Sequence, residues 1–111
     1  MNIDESLIEQ AAAALLHAAP TGSRVFLFGS HASGKARPDS DLDFLVVEPS
    51  VEDPKREMVR LRKALDALIG PLLIPADVLV ASADRFEHWR DTPNTVYFEA
   101  ATRGRVYESV A

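Results

Sequence analysis

Leu27-Phe28-Gly29-Ser30-His31-Ala32-Ser33-Gly34-Lys35-Ala36-Arg37-Pro38-Asp39-Ser40-Asp41-Leu42-Asp43-Phe44-Leu45-Val46-Val47 decides the reading of this chain. Two apolar runs flank a loop rich in glycine, serine and proline. The first, Val25-Phe26-Leu27-Phe28, is short and continuous, as a buried strand requires. The second reads as a strand from Asp41 to about Val47. Residues two apart on a strand share a face, so Asp41 and Asp43 project together while Leu42, Phe44 and Val46 turn the other way. Two adjacent carboxylates against a buried sheet repel unless a cation lies between them. A hard divalent cation with oxygen ligands fits, and Mg²⁺ is the usual one beside phosphates.

The loop complements that site. Gly29 lets the backbone come close to a ligand. A short helix starting near Ser30 would aim free N–H groups at an anion, with the Ser30 hydroxyl as a further partner. Phosphate binding at Gly29-Ser30 and metal binding at Asp41 and Asp43 would then share one space, which nucleotidyl transfer needs. Asp77 opens a further strand, Asp77 to Ala81. If that strand lies beside the second, Asp77 reaches the same metal. Arg37 is a candidate phosphate contact on the loop, as is Lys35. Asp39 and Ser40 read as turn chemistry after Pro38.

Outward from this stretch the pattern alternates helices and strands. Asp4 caps a helix with Leu7, Ile8, Ala11 and Leu15 on one face, ending near Ala19 before Pro20. Val51 to Ile69 is amphipathic, with Met58, Leu61, Leu65 and Leu68 on one side, and Gly70-Pro71 ends it. The last third reads as helical, with Thr92 as N-cap, Pro93 as first helical residue and Gly104 as C-terminal cap. Arg105-Val106-Tyr107 reads as a short edge strand. The expected architecture is α/β (α+β), a small mixed sheet packed on helices, in one domain over residues 1–111.

Composition sets outer limits. The 111 residues are 47% hydrophobic and 26% charged, as in a folded globular domain. No apolar run approaches the ~20 residues of a membrane helix. Cysteine is absent, which excludes disulfides and thiolate metal sites. These features suggest the cytoplasm. The net charge of −5 argues against nucleic acid as the main partner but leaves room for one nucleotide neutralised by a metal.

Gly29-Ser30, ten intervening residues and Asp41-x-Asp43 resemble the signature of the DNA-polymerase-β-like nucleotidyltransferase superfamily. With Asp77 downstream, the chain is most similar to its minimal nucleotidyltransferase branch, over about Ser23 to Glu108. The resemblance implies a polymerase-β palm-like fold. It implies two Mg²⁺ ions held by Asp41, Asp43 and Asp77 as the catalytic acids, with Gly29 and Ser30 on the triphosphate. The branch often supplies the antitoxin of a toxin–antitoxin pair whose toxin is a helical HEPN-domain ribonuclease. The implied activity is protein adenylylation, the transfer of AMP from ATP to a toxin tyrosine. Larger relatives carry an acceptor-binding domain, so here the acceptor is expected to bring its own docking surface. Two alternatives stand beside this: a non-catalytic antitoxin that covers its partner, and a nucleotidyltransferase of small molecules.

Other residues read as structural. His31 is taken as an incidental loop histidine, with a place near the triphosphate as the alternative, His17 and His88 as structural or surface residues, and Arg24 as a surface residue. Trp89, Tyr97 and Phe98 read as core. Lys55, Arg56, Arg60, Arg62 and Lys63 read as the solvated face of the amphipathic helix, with a docking surface for an acidic partner as the alternative.

Overall fold

The computed structural model describes residues 3–37 and 40–108. Asp4 accepts a hydrogen bond from the Leu7 amide at 2.9 Å and so starts α1 (Glu5–Ala18). The chain then runs through β1 (Arg24–Phe28), a single helical turn α2 (Ser30–Ser33), β2 (Leu42–Glu48), α3 (Pro54–Ile69), β3 (Ala76–Ser82), α4 (Ala83–Trp89), α5 (Val96–Arg103) and β4 (Arg105–Glu108). The four strands form one mixed sheet in the order β3-β2-β1-β4. β1 is antiparallel to both β2 and β4, while β2 and β3 are parallel. A parallel pair needs a long crossover, and α3 provides it.

Alternation along the strands splits the core into two layers. On one face Val25, Leu27, Leu42, Phe44, Val46 and Val78 pack against Ile8, Ala11 and Leu15 of α1 and Leu61, Leu65 and Ile69 of α3. On the other, Phe26, Leu45, Val47 and Ala81 pack against Phe86 of α4 and Ala100 of α5. β2 is buried on both sides, which explains its nearly unbroken apolar run. The sheet is therefore sandwiched between two helical layers, as the mixed α/β reading expects.

Several boundaries differ from the sequence reading. β2 begins at Leu42, with Asp41 one residue ahead of it. α3 begins at Pro54 rather than near Val51, because the Asp53 side chain accepts from the Arg56 amide at 3.2 Å and Pro54 takes the first turn. Thr92-Pro93 does not start a helix. The Thr92 amide closes the turn after α4 on the Trp89 carbonyl, and Asn94 adopts φ +68°, which interrupts any helix there. Thr95 is the actual cap, accepting from the Phe98 amide at 3.1 Å. Trp89 is not core: it is 37% exposed. Tyr97 and Phe98 are half-buried, Tyr97 against the second layer. Pro38 and Asp39, read as part of a turn, lie outside the described residues. Among the described residues no helix is long and apolar enough to cross a membrane.

Candidate active site

Asp43, Leu45 and Val47 share the face of β2 that looks toward α4 and α5. Register then decides what Asp43 meets. Its partner on β1 is Phe28, the residue before Gly29, and its partner on β3 is Asp77. Registered residues of neighbouring strands point to the same side, so Asp43 and Asp77 sit side by side at one end of the sheet. Asp41 lies exposed on the approach to β2. The parallel β2–β3 pairing thus supplies the adjacency that the sequence left conditional.

Gly29 turns the chain out of β1 at φ +76°, ψ −156°, a backbone region open essentially only to glycine. A Cβ there would lie 2.5 Å from Asp43 Oδ2. Glycine is therefore demanded twice, by the dihedrals and by the carboxylate against it. α2 follows at once: the amides of Ala32 and Ser33 both donate to the Gly29 carbonyl, at 3.2 and 3.1 Å. Gly34 ends the turn in the left-handed region at φ +77°. His31 is more than incidental. Its Nε2–H donates to the Ser40 carbonyl at 3.0 Å, tying α2 to the base of β2 just before Asp41.

The electrostatics follow from this crowding. Burial holds the Asp43 carboxyl above the usual aspartate range, and Asp77, Asp41 and then Glu99 push it further, opposed by His31. Glu99 projects from α5 and has no counterpart in the sequence reading; only its place in three dimensions brings it near Asp43. Asp77 Oδ1 lies 3.7 Å from Arg62 Nη1 of α3, a contact between two largely exposed side chains. Arg62, read as one of a run of solvated cations, thereby joins the rim of the site. Arg37 is exposed, and among the described residues its side chain has no ion-pair or hydrogen-bond partner; its backbone amide donates to Ser40 Oγ at 2.8 Å.

Among the described residues no three carboxylate or imidazole side chains converge closely enough to form a ready-made metal cage. The donor chemistry nonetheless fits a hard divalent cation. Asp41, Asp43 and Asp77 offer only carboxylate oxygens, and Asp43 carries an uncompensated cost of ionisation that a cation would remove. Beside this cluster opens a cleft of about 650 Å³, lined by Phe28, Asn94, Val96, Phe98, Glu99 and Arg103 among others. Its volume lies within the range of small-molecule sites.

Comparison with known proteins gives the family and the fold. The nucleotidyltransferase domain model matches residues 8–97. The chain belongs to that family. Two solved structures share its fold. One is a crystal structure of a toxin–antitoxin with AMP-PNP, with TM-score 0.60 and 21% identity, covering 91% of this chain and 73% of that one. The other is a mutant of the toxin–antitoxin MntA-HpeT, with TM-score 0.57 and 17% identity, covering 96% of this chain and 75% of that one. No curated protein matches the sequence.

Proposed function

We propose that this nucleotidyltransferase domain is the antitoxin of a toxin–antitoxin pair, and that it transfers AMP from ATP to a hydroxyl, a tyrosine of a HEPN-type toxin, in the cytoplasm. The observation that carries the reading is the register of Asp43 with Asp77 at the sheet end where Gly29 closes on Asp43. Toxin–antitoxin structures among the fold's neighbours, one with AMP-PNP, support the partner and the nucleotide.

In this reading Asp41, Asp43 and Asp77 would hold two Mg²⁺ ions. When bound, the metal neutralises phosphate charge and makes the acceptor hydroxyl more acidic. The chain's own residues do the rest. Gly29 and Ser30 seat the triphosphate at the first turn of α2, and Arg37 contacts it from the loop. The cleft beside Phe28 and Glu99 gives the reacting groups room next to Asp43. The acceptor oxygen bonds to the α-phosphorus as the bond to the β-phosphate oxygen breaks. Pyrophosphate departs, and the hydroxyl proton leaves through the exposed side of the cluster at Asp77.

The test mixes the chain with its partner toxin, Mg²⁺ and each nucleoside triphosphate in turn, and records intact masses. The expected result is a toxin heavier by one or more AMP groups with ATP, lost on adding EDTA or in Asp43→Asn. A partner that binds tightly yet keeps its mass would refute transfer and leave neutralisation by occlusion.

A further inference from the structure

Of the three acids in the candidate site, Asp41 alone is not held by a strand. Asp43 and Asp77 sit in register inside β2 and β3, fixed by the ladder between them. Asp41 lies one residue ahead of β2 and is exposed, so its position depends on what holds the residues on either side of it. Leu42 is fixed by its own amide, which donates to the Pro75 carbonyl at 3.0 Å. That settles one flank. The other flank is Ser40, at the end of a loop in which Ser33 to Arg37 are all exposed. A loop with so few packed side chains has little except hydrogen bonds to set its shape.

Those bonds gather at Ser40. Its amide donates to the Arg37 carbonyl at 3.0 Å, and its Oγ accepts from the Arg37 amide at 2.8 Å. Both close a local turn and would travel with the loop. A third bond comes from outside that turn. His31 Nε2 donates to the Ser40 carbonyl at 3.0 Å, across nine residues of sequence. A carbonyl can only accept, so this nitrogen carries its hydrogen. His31 is itself well anchored. It lies in α2, whose Ala32 and Ser33 amides close on the Gly29 carbonyl, and Gly29 stands against Asp43. Its charge opposes the effect of Asp77, Asp41 and Glu99 on the Asp43 carboxyl, which places the imidazole near the acidic cluster.

We propose that His31 is a positioning residue: by holding the Ser40 carbonyl it sets the distance between Asp41 and the α2 turn, so that the metal seat and the phosphate seat form one unit. The inference rests on the reading above, in which Asp41 belongs to the metal site and Gly29 and Ser30 seat the triphosphate. His31 touches neither ligand in this scheme and acts through Asp41. Without it, Ser40 keeps its turn with Arg37, but that turn is free to swing and Asp41 swings with it. Asp43 and Asp77 stay in place on their strands. Binding metal and triphosphate together makes demands on both seats at once, and a displacement of about 1 Å at a reacting centre can lower a rate ~100-fold.

The experiment compares the whole chain with His31→Ala and His31→Gln, thermal melts confirming that each is folded. The glutamine amide nitrogen can take the place of Nε2 and donate to the same carbonyl, whereas alanine cannot. The first readout is ¹⁵N relaxation of the ligand-free chain. In His31→Ala the order parameters at Ser40 and Asp41 should fall from about 0.85 toward 0.6, while those from Asp43 to Glu48 hold and His31→Gln restores the loss. The second is calorimetric binding of AMP-PNP with Mg²⁺, which also includes Asp41→Asn and the double variant of His31→Ala with Asp41→Asn. His31→Ala should weaken binding roughly five- to tenfold and His31→Gln no more than about twofold. The double variant should bind no more weakly than Asp41→Asn alone, since two residues acting through one contact do not add. Fully additive losses, unaltered binding in a folded His31→Ala chain, or order parameters at Ser40 and Asp41 that do not move would each overturn the proposal. A wild-type chain that fails to bind AMP-PNP with Mg²⁺, or an Asp41→Asn chain that binds it normally, overturns the reading of the site and this inference with it. That result is told apart from the others because it appears with His31 intact.

Discussion

Replacing Gly29 by alanine tests the central geometric claim, that one glycine lets the β1 corner and the Asp43 carboxylate occupy adjoining space. Two costs arise. The backbone at φ +76°, ψ −156° lies in the region reserved for glycine, and holding a side chain there costs on the order of 1–3 kcal/mol. The new methyl would stand 2.5 Å from Asp43 Oδ2 and 3.3 Å from its Cγ, so the carboxylate must retreat by roughly an ångström to reach ordinary contact. A shift of that size at a reacting centre can lower a rate ~100-fold. For a domain of this size each kcal/mol is worth about 4–8 °C of melting temperature, so Gly29→Ala should melt roughly 5–15 °C lower. Gly34→Ala is the control. Its φ is also positive, at +77°, but nothing lies within 4 Å of the added Cβ. Its strain of about 1 kcal/mol is partly offset by the ~0.4–1 kcal/mol that alanine removes from the freedom of the unfolded chain. Thermal melts with and without Mg²⁺, together with Mg²⁺ titration, measure both effects. Gly29→Ala should lose metal-induced stabilisation while Gly34→Ala retains it. If the two variants melt alike and gain equally from Mg²⁺, the claimed contact between Gly29 and Asp43 is wrong.

Three further outcomes follow from the same electrostatics. Asp43→Asn should raise the metal-free melting temperature at pH 7 while abolishing the gain from Mg²⁺. The folded chain holds this carboxyl above its usual range, so its contribution to stability falls as pH rises above the ordinary aspartate value; calorimetry across pH 3 to 7, showing a flatter profile for the variant, checks the sign. Glu48, raised to about 8 by burial and by its hydrogen bond with Glu57, should likewise make the wild-type chain lose stability between the ordinary glutamate value near 4.5 and pH 8, because the unfolded chain releases the proton first. Glu57, lowered in the same pair, acts in the opposite sense below that window, and Glu48→Gln should level the decline in a denaturant titration at pH 5 and pH 8. Arg62→Ala should leave stability within about 0.5 kcal/mol, since the pair is exposed and 3.7 Å apart, yet tighten Mg²⁺ by freeing Asp77; weaker metal binding would mean that Arg62 supports the site instead of competing for it.

The parts of this structure visible in the sequence are those governed by local rules. Period-two alternation marks Asp41 and Asp43, and the continuous apolar run marks β1. The sequence left Asp77 conditional on its strand lying beside the second, and the parallel β2–β3 pairing meets that condition. Where two local signals competed, the sequence could mislead. Thr92-Pro93 carries a helix-start pattern, but Asn94 accepts a left-handed turn at φ +68° and Thr95 also offers a capping hydroxyl, so the helix begins three residues later than the first signal. What the sequence hides is set by long-range packing. Glu99 reaches Asp43 from another element. Arg62 meets Asp77 across a helix–strand boundary. Glu48 looks like the polar end of a strand, but the covering helices leave it 2% exposed.

The two acidic regions of β2 show how one strand can hold opposite solutions to the same difficulty. At its N-terminal end Asp43 faces Asp77 with Asp41 nearby, at the open rim of the sheet beside the 650 Å³ cleft. There the repulsion is left standing, so a cation that arrives from solvent gains binding energy by removing it. At the C-terminal end Glu48 is enclosed, and its neighbour Glu57 is already gripped by both arms of Arg60. There the chain provides one resident cation for two carboxyls and a proton for the remainder. The first arrangement keeps charge available to a ligand at a cost in stability. The second limits that cost, because Glu48 keeps its proton and shares it in a hydrogen bond with Glu57. A domain of 111 residues has little surplus stability with which to hold buried charge. The unmet carboxyl is therefore the half-buried one at the open rim, where a cation can complete it, while the enclosed one is settled within the chain.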